Sequence, residues 1–204
     1  MSKIWMVLGM ALVAVGLLGA SPAGAQSAPQ PTSDDRILGK ADAPITIFEY
    51  ASLTCPHCAE FDRETLPKLK ETWLDTGKAR LIFRDFPLDA SALKAAMLAR
   101  CAPPDQFYGF VDVLFRGQQS WAVSHDLDGS LGKLAKLGGL SDETFAACMK
   151  NDDLQKKIVA ERYQAEKEYG VDSTPTFFIN GVKFVGAQPF PEFDKALTQA
   201  ASKS

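Results

Sequence analysis

Metal-binding side chains are scarce in this 204-residue chain, which has two histidines and four cysteines. A structural zinc site usually needs four ligands, often arranged as two Cys/His pairs, but Cys101, Cys148 and His125 each stand alone in the sequence. Covalent haem attachment needs a histidine directly after the second cysteine of a Cys-x-x-Cys motif, and Ala59 occupies that position. The sequence therefore predicts neither a metal site nor a cofactor.

An excess of basic charge is also missing. The chain has 22 Lys and Arg residues against 25 Asp and Glu residues, for a formal net charge of −3. Because proteins that bind nucleic acid usually present a basic surface, we expect no nucleic-acid partner. Beyond the N-terminal region, no apolar run approaches the roughly 20 residues that a membrane-spanning helix needs.

The single long apolar run, residues 4–19, follows Lys3 and precedes the small residues Ala23-Gly24-Ala25. This order is typical of a secretory signal peptide, so we predict one over residues 1–25, with cleavage before Gln26. An uncleaved membrane anchor is the alternative, because the run is near the lower limit for a span. Export to the periplasm would place the cysteines in an oxidising compartment, where disulfides persist.

The remaining chain alternates between strand-like and helical patterns. Residues 26–35 are rich in Pro, Ser, Gln and Ala and predict a flexible linker, after which residues 36–204 have a length that suits one domain. Strands are predicted at residues 45–51 and 79–86, and a hairpin around Asn180-Gly181. Helices are predicted at residues 91–102, 105–117, 130–137, 141–149, 151–169 and 191–201. The sequence thus predicts an α/β protein.

Cys55-Pro56-His57-Cys58 is the motif with the most chemical content. It follows the predicted strand at 45–51 and precedes a helix whose apolar face would hold Phe61, Leu66, Leu69 and Trp73. At a helix N-terminus, unpaired N–H groups and the helix dipole stabilise a thiolate, the form of cysteine that attacks disulfides and leaves easily. Because the second sulfur can close a small ring with the first, the motif predicts dithiol–disulfide chemistry.

Together with three further segments, the motif resembles the DsbA-like thiol:disulfide oxidoreductases of the thioredoxin superfamily. The matching segments are FEYAS at residues 48–52, RDFPL at 84–88 and VDSTPTFFING at 171–181. The residues Pro-His between the cysteines are typical of the oxidases of this family. The resemblance implies a thioredoxin-like fold with a helical subdomain inserted at about residues 88–169.

The resemblance also implies roles for five residues around the motif. Cys55 is expected to be the exposed nucleophile and Cys58 the resolving thiol, while His57 favours the Cys55 thiolate through its charge or a hydrogen bond. Pro175 is expected to be cis and to face the motif, with Thr174 beside the Cys55 sulfur and its backbone available to an extended substrate. An imidazole without effect and an ordinary trans proline are the alternatives.

Glu49 interrupts an otherwise apolar strand, six residues before Cys55. A charged carboxyl on a buried strand is costly, so we expect Glu49 to be partly neutral or paired. The resemblance places it beneath Cys58, where it helps to move the proton of that thiol. A salt-bridged acid with a structural role is the alternative.

Cys101 and Cys148 lie in predicted helices of the inserted region. In an oxidising compartment, two remaining cysteines suggest a structural disulfide, which some members of the family carry. Closing this loop would add roughly 4 kcal/mol of stability by chain entropy. Two buried free thiols are the alternative, because the sequence does not give the distance between them.

These patterns and the resemblance predict an exported protein disulfide oxidase that works as a monomer. Its substrates would be folding exported proteins with free thiols, and a membrane quinone-linked partner of the DsbB type would reoxidise it. A disulfide isomerase or reductase is one alternative, although such isomerases usually carry a dimerisation domain for which residues 26–35 are too short. An exported metal or folding chaperone that uses the thiols as ligands is the alternative from another class.

Overall fold

The structure is a computed structural model that describes residues 27–203. The predicted signal peptide at residues 1–25 lies outside the described residues. Within residues 27–203, no helix combines the length and apolar character that a membrane span requires.

A five-stranded mixed sheet forms the centre of the fold, in the order β1-β3-β2-β4-β5. The strands are β1 (Ile37–Gly39), β2 (Ile45–Ala51), β3 (Ala79–Asp85), β4 (Thr176–Ile179) and β5 (Val182–Val185). β2 and β3 are parallel, and the other neighbours are antiparallel. The predicted strands at 45–51 and 79–86 are confirmed. The sequence does not predict β1, because its three residues are too few to show an alternating pattern.

The hairpin between β4 and β5 turns at Asn180 and Gly181, as predicted. Both residues have positive φ, 44° and 84° respectively, as the central positions of a type I′ turn require. β4 is antiparallel to β2, with Thr176 opposite Tyr50. This register brings the segment just before β4 to the turn that follows β2.

The helix after the redox motif alternates between α-helical and wider π-helical turns. Its parts are α1 (Pro56–Glu60), a π turn (Phe61–Thr65), α2 (Leu66–Leu69) and a second π turn (Lys70–Leu74). The N–H of Leu66 bonds to the carbonyl of Phe61, five residues earlier. Pro67 has no N–H to continue an α-helical ladder at this point, which favours the wider turn. The predicted apolar face, Phe61, Leu66, Leu69 and Trp73, nevertheless packs on the sheet. The wider turn matches the five-residue step from Phe61 to Leu66.

Helices fill the chain between β3 and β4, where the sequence places an inserted subdomain. They are α3 (Ala90–Cys101), a 3₁₀ turn (Pro104–Gln106), α4 (Phe107–Arg116), α5 (Gln118–Trp121), α6 (Leu127–Leu137), α7 (Asp142–Met149) and α8 (Asp152–Glu168), and α9 (Phe190–Ala201) follows β5. The side chains of Ser141 and Asn151 cap α7 and α8 by accepting from the N–H groups of Thr144 and Leu154. α6 begins three residues before its predicted start, because Asp126 caps it by accepting from the N–H of Gly129.

The buried side chains form two large clusters and a smaller one, on the two faces of the sheet. One packs α2 and α9 on the sheet and includes the rings of Phe61, Phe177 and Phe193. Another joins the inserted helices to the end of β2 and contains both Cys55 and Cys58. The redox motif is therefore part of the contact between the sheet and the insertion.

The predicted linker at residues 26–35 makes long-range contacts over its described part. Asp35 pairs with Arg84 of β3 at 2.7 Å, with both side chains mostly buried. Asp34 pairs with Lys157 of α8. These ion pairs hold Asp34 and Asp35 against the folded part of the chain, and their partners lie too far along the sequence for the local composition to reveal them.

Phe177→Ala should lower the free energy of unfolding by about 3–5 kcal/mol, as a large buried ring is removed. The Phe177 ring lies 4.7 Å from the Phe61 ring and 4.9 Å from the Phe193 ring, between centroids. Val182→Ala, at an exposed position of the same hairpin, should cost less than about 1 kcal/mol. Urea unfolding measures both variants, and equal losses would contradict this assignment of the core.

Candidate active site

Cys55 lies at the point where the turn after β2 becomes α1. Its backbone is still extended, with φ −79° and ψ 120°, and its N–H donates to the carbonyl of Ser52 at 3.0 Å. Pro56 takes the first helical position, which needs no N–H. Cys55 is only 6% exposed, so the expectation of an exposed nucleophile is wrong. The segment before β4 covers the sulfur, whose S–H donates to the carbonyl of Thr174 at 3.4 Å.

Hydrogen bonds to the Cys55 sulfur lower the pKa of this thiol from 9.0 to about 5, although burial opposes the shift. The hydrogen bond with the Cys58 thiol contributes most, followed by Thr174 and by the backbone N–H groups of Cys58 and His57. While Cys55 is a thiol, as in the structure, the buried Thr174 hydroxyl has no hydrogen-bond partner, and it lowers the pKa because it can donate to the thiolate. A thiolate at Cys55 offers this hydroxyl an acceptor, so the site is organised around the ionised form of Cys55.

The His57 side chain points to solvent and is 72% exposed. Its Nδ1 lies 3.1 Å from Oε2 of Glu60, on the same helix. The backbone N–H of His57, rather than its ring, contributes to the lowered pKa of Cys55. The expected hydrogen bond from the ring to Cys55 is therefore not what the structure contains, and an effect of the ring's charge stays a prediction.

Cys58 differs sharply from Cys55 because it is fully buried, with 0% exposure. Burial, Cys55 and Glu49 raise the pKa of the Cys58 thiol well above 9.0. Glu49 lies in β2 and is 3% exposed; burial and Asp62 raise the pKa of its carboxyl well above 4.5. The structure thus places a buried carboxyl with a raised pKa among the groups that influence Cys58.

Asp62 is a second buried acid, which the sequence analysis does not single out. It follows Cys58 by four residues, so both side chains lie on one face of the helix. Its Oδ2 is buried and has no hydrogen-bond partner in the structure. Burial and Asp112 raise the pKa of Asp62 to about 6. The helical spacing from Cys58 is the signal that could have identified it.

The segment before β4 completes the site. The peptide bond between Thr174 and Pro175 is cis, the conformation that the resemblance implies. Thr174 lies directly against the Cys55 sulfur. The sheet thus brings together residues that are 119 positions apart in the sequence.

Two polar side chains tie the inserted helices to the redox turn, and the sequence analysis identifies neither. The hydroxyl of Thr54 donates to Oδ2 of Asp89, the cap of α3, at 2.6 Å. The amide of Gln118 donates to the carbonyls of Leu53 and Cys55, at 2.8 and 3.0 Å. The sequence signal for Gln118 is its spacing. It lies three residues from each of two buried aromatic residues, so on a helix it shares their buried face.

Cys101 of α3 and Cys148 of α7 form a disulfide, with their Cα atoms 6.1 Å apart. It joins two helices of the insertion, whereas Cys55 and Cys58 are thiols in the structure. Among residues 27–203, no three His, Cys, Asp or Glu side chains are grouped so that they could hold a metal ion.

Comparisons with known proteins agree with this geometry. Residues 31–199 match the thioredoxin family. A Rickettsia bellii relative is 34% identical over 74% of this chain, which spans only 58% of that relative's length. Disulfide bond formation protein D of Bacillus subtilis is 29% identical over 71% of this chain and 67% of its own. The crystal structure of alpha-DsbA1 from Wolbachia pipientis is 36% identical, covers 85% of this chain and 94% of its own, and has a TM-score of 0.80.

A Cys-x-x-Cys dithiol at the start of a helix, beside a cis-proline segment on a mixed sheet, defines a thioredoxin-fold protein with thiol–disulfide chemistry. The helical insertion and the comparisons narrow this class further. The chain belongs to the DsbA-like thiol:disulfide oxidoreductases of the thioredoxin superfamily.

Alkylation of Cys55 in the reduced protein should follow a midpoint near pH 5, because only the thiolate reacts. The rate should be high at neutral pH and should fall as the pH drops through that midpoint. Mass spectrometry after brief treatment with iodoacetamide measures it, with Cys55→Ser as the control for other sites. A midpoint near the ordinary value of about 8.5 would contradict the stabilised thiolate.

Glu49→Gln should stabilise the reduced protein more at pH 7 than at pH 4. Unfolding lets Glu49 ionise near its ordinary pKa of 4.5, while burial keeps it protonated in the fold. The stability of the native protein therefore declines as pH rises above that value, by about 1.4 kcal/mol for each unit of raised pKa. Glutamine abolishes this decline. Urea unfolding at both pH values tests it, with exposed Glu71→Gln as the control; an equal difference at the two pH values would refute it.

Proposed function

We propose that this chain is an exported protein disulfide oxidase that introduces disulfides into folding proteins through Cys55 and Cys58. The observation that supports it is the contrast between the two thiols: the pKa of Cys55 is lowered to about 5, and that of Cys58 is raised. A stable thiolate stabilises the reduced enzyme, which makes its disulfide a strong oxidant. The same relation explains the oxidising power of DsbA itself.

In the proposed reaction, a substrate thiolate attacks Sγ of Cys55 in the Cys55–Cys58 disulfide. The sulfur–sulfur bond breaks, its electrons pass to Cys58, and this sulfur takes up a proton with the help of Glu49. A second substrate thiolate then attacks the substrate sulfur of the mixed disulfide, and Cys55 leaves as a thiolate. The substrate gains a disulfide and the enzyme is left reduced. Attack at Cys55 fits the complete burial of Cys58.

Substrate binding is proposed for Thr174 and Pro175. An extended substrate segment would pair with the backbone beside Thr174, as peptides do in other strand-like recognition modes. This position would bring a substrate cysteine to the Cys55 sulfur, which contacts the Thr174 carbonyl. The charge of His57 at the start of α1 would add to the stabilisation of the thiolate.

Export and reoxidation complete the proposal. Residues 1–25 are the proposed signal peptide, and the periplasm is the proposed location, with the monomer as the working form. The reduced enzyme must pass two electrons onward before it can act again, so a membrane quinone-linked reoxidase of the DsbB type is the proposed partner. Folding exported proteins with free thiols are the proposed substrates.

Reduced Cys58→Ser, mixed with a single-cysteine peptide whose thiol is activated as a disulfide with thionitrobenzoate, should bind one equivalent of the peptide. The Cys55 thiolate attacks the peptide sulfur, the activating disulfide breaks, and thionitrobenzoate leaves as the more acidic thiol. The mixed disulfide should persist because the variant lacks its second active-site thiol. Cys55→Ser is the matched control and should bind no peptide at this site. Mass spectrometry detects the adduct, and its absence from Cys58→Ser would show that the assigned roles are wrong.

The wild type should also oxidise reduced hirudin faster than it reshuffles scrambled ribonuclease. The opposite order of rates would favour an isomerase, and bound metal in the purified protein would favour a thiol-based chaperone.

A further inference from the structure

Gln118 is a buried polar side chain that reaches from the insertion to the redox turn. It lies at the start of α5 and is 7% exposed. Its two amide hydrogens point at two carbonyls, since Nε2 lies 2.8 Å from the oxygen of Leu53 and 3.0 Å from that of Cys55. The contact spans more than sixty positions of sequence and joins the inserted helices to the residue that carries the reactive sulfur.

One of the two carbonyls that Gln118 engages belongs to Cys55 itself, and the other belongs to Leu53, two residues earlier. A carbonyl oxygen carries partial negative charge, which disfavours a thiolate on the same residue. The Cys55 oxygen already accepts the N–H of Ala59 at 3.2 Å, and the Gln118 amide adds a second donor that offsets more of this charge. The amide also holds the turn on which the N–H groups of His57 and Cys58 are directed at the sulfur.

We propose that Gln118 is a positioning residue for the redox reaction, which stabilises the reduced form of the active site more than the oxidised form by donating to the carbonyls of Leu53 and Cys55. This inference rests on the proposed oxidase function and deepens it. It assigns to the insertion a part in setting how strongly the Cys55–Cys58 disulfide oxidises its substrates.

The test compares Gln118→Met, which keeps length and apolar bulk but removes both donors, with Gln119→Met, at the exposed neighbouring position. One measurement is the thiolate absorbance of the reduced protein against pH. The other is the equilibrium in which the oxidised enzyme and two glutathione molecules give the reduced enzyme and oxidised glutathione.

Because a hydrogen bond contributes about 0.5–1.5 kcal/mol, Gln118→Met should raise the Cys55 midpoint by about half a unit to one unit. The equilibrium constant should fall by about three- to tenfold.

Gln119→Met should change neither quantity. A purely structural role for Gln118 predicts a different result, in which urea unfolding shows equal destabilisation of the oxidised and reduced forms while midpoint and equilibrium constant stay at the wild-type values. That result would overturn the inference.

Gln118→Leu is the second variant, in case Gln118→Met fails to fold. It is close in size to glutamine and has no group that can donate to the carbonyls. The Cys55 midpoint should rise by about as much as expected for Gln118→Met, and an unchanged midpoint would refute the inference. A wild-type midpoint near that of free cysteine would instead count against the oxidase function, independently of the difference between the variants.

Discussion

The hydrogen bonds that converge on the Cys55 sulfur are the interaction on which the chemistry of this protein depends. They require three parts of the fold to meet at one atom. β2 ends at the turn that carries Cys55, α1 supplies the backbone N–H groups of His57 and Cys58, and the segment before β4 brings the Thr174 hydroxyl, which can donate to the thiolate. The antiparallel pairing of β2 with β4 produces this meeting, so the central sheet serves as the frame of the site.

The two thiols differ in their surroundings, and their pKa values are shifted in opposite directions. Cys55 is 6% exposed, and the hydrogen bonds to its sulfur outweigh the cost of desolvating a thiolate. Cys58 is fully buried. Burial is the main cause of its raised pKa, and Cys55 and Glu49 raise this pKa further. Under the proposed function, the low pKa of Cys55 makes it a good leaving group, and the high pKa of Cys58 lets this thiol keep its proton.

The inserted helices do more than enlarge the core. They contact the redox turn through Asp89 and Gln118, and the Cys101–Cys148 disulfide joins two of these helices to each other. Their apolar side chains also form the cluster in which Cys55 and Cys58 are buried. The insertion therefore supplies one wall of the active site, and the sheet with its cis-proline segment supplies the other.

The sequence by itself determined those features whose physical cause is local. The apolar run at 45–51 and the Asn180-Gly181 turn each act within a few residues, and each appears where the sequence predicts it. The reactive motif also belongs to this group, because its position between a strand and a helix already indicates a stabilised thiolate.

Only the tertiary structure decided the features that depend on partners far along the chain. Helical spacing marks Asp62 and Gln118, but it gives neither their burial nor the groups that Gln118 contacts. The covering of Cys55 by Thr174 and the ion pairs of Asp34 and Asp35 leave no periodic mark on the sequence. The His57 ring lies toward Glu60 rather than toward Cys55, and residue spacing alone does not predict which of these neighbours it contacts. Local propensities select the elements, but distances and burial exist only once those elements have packed.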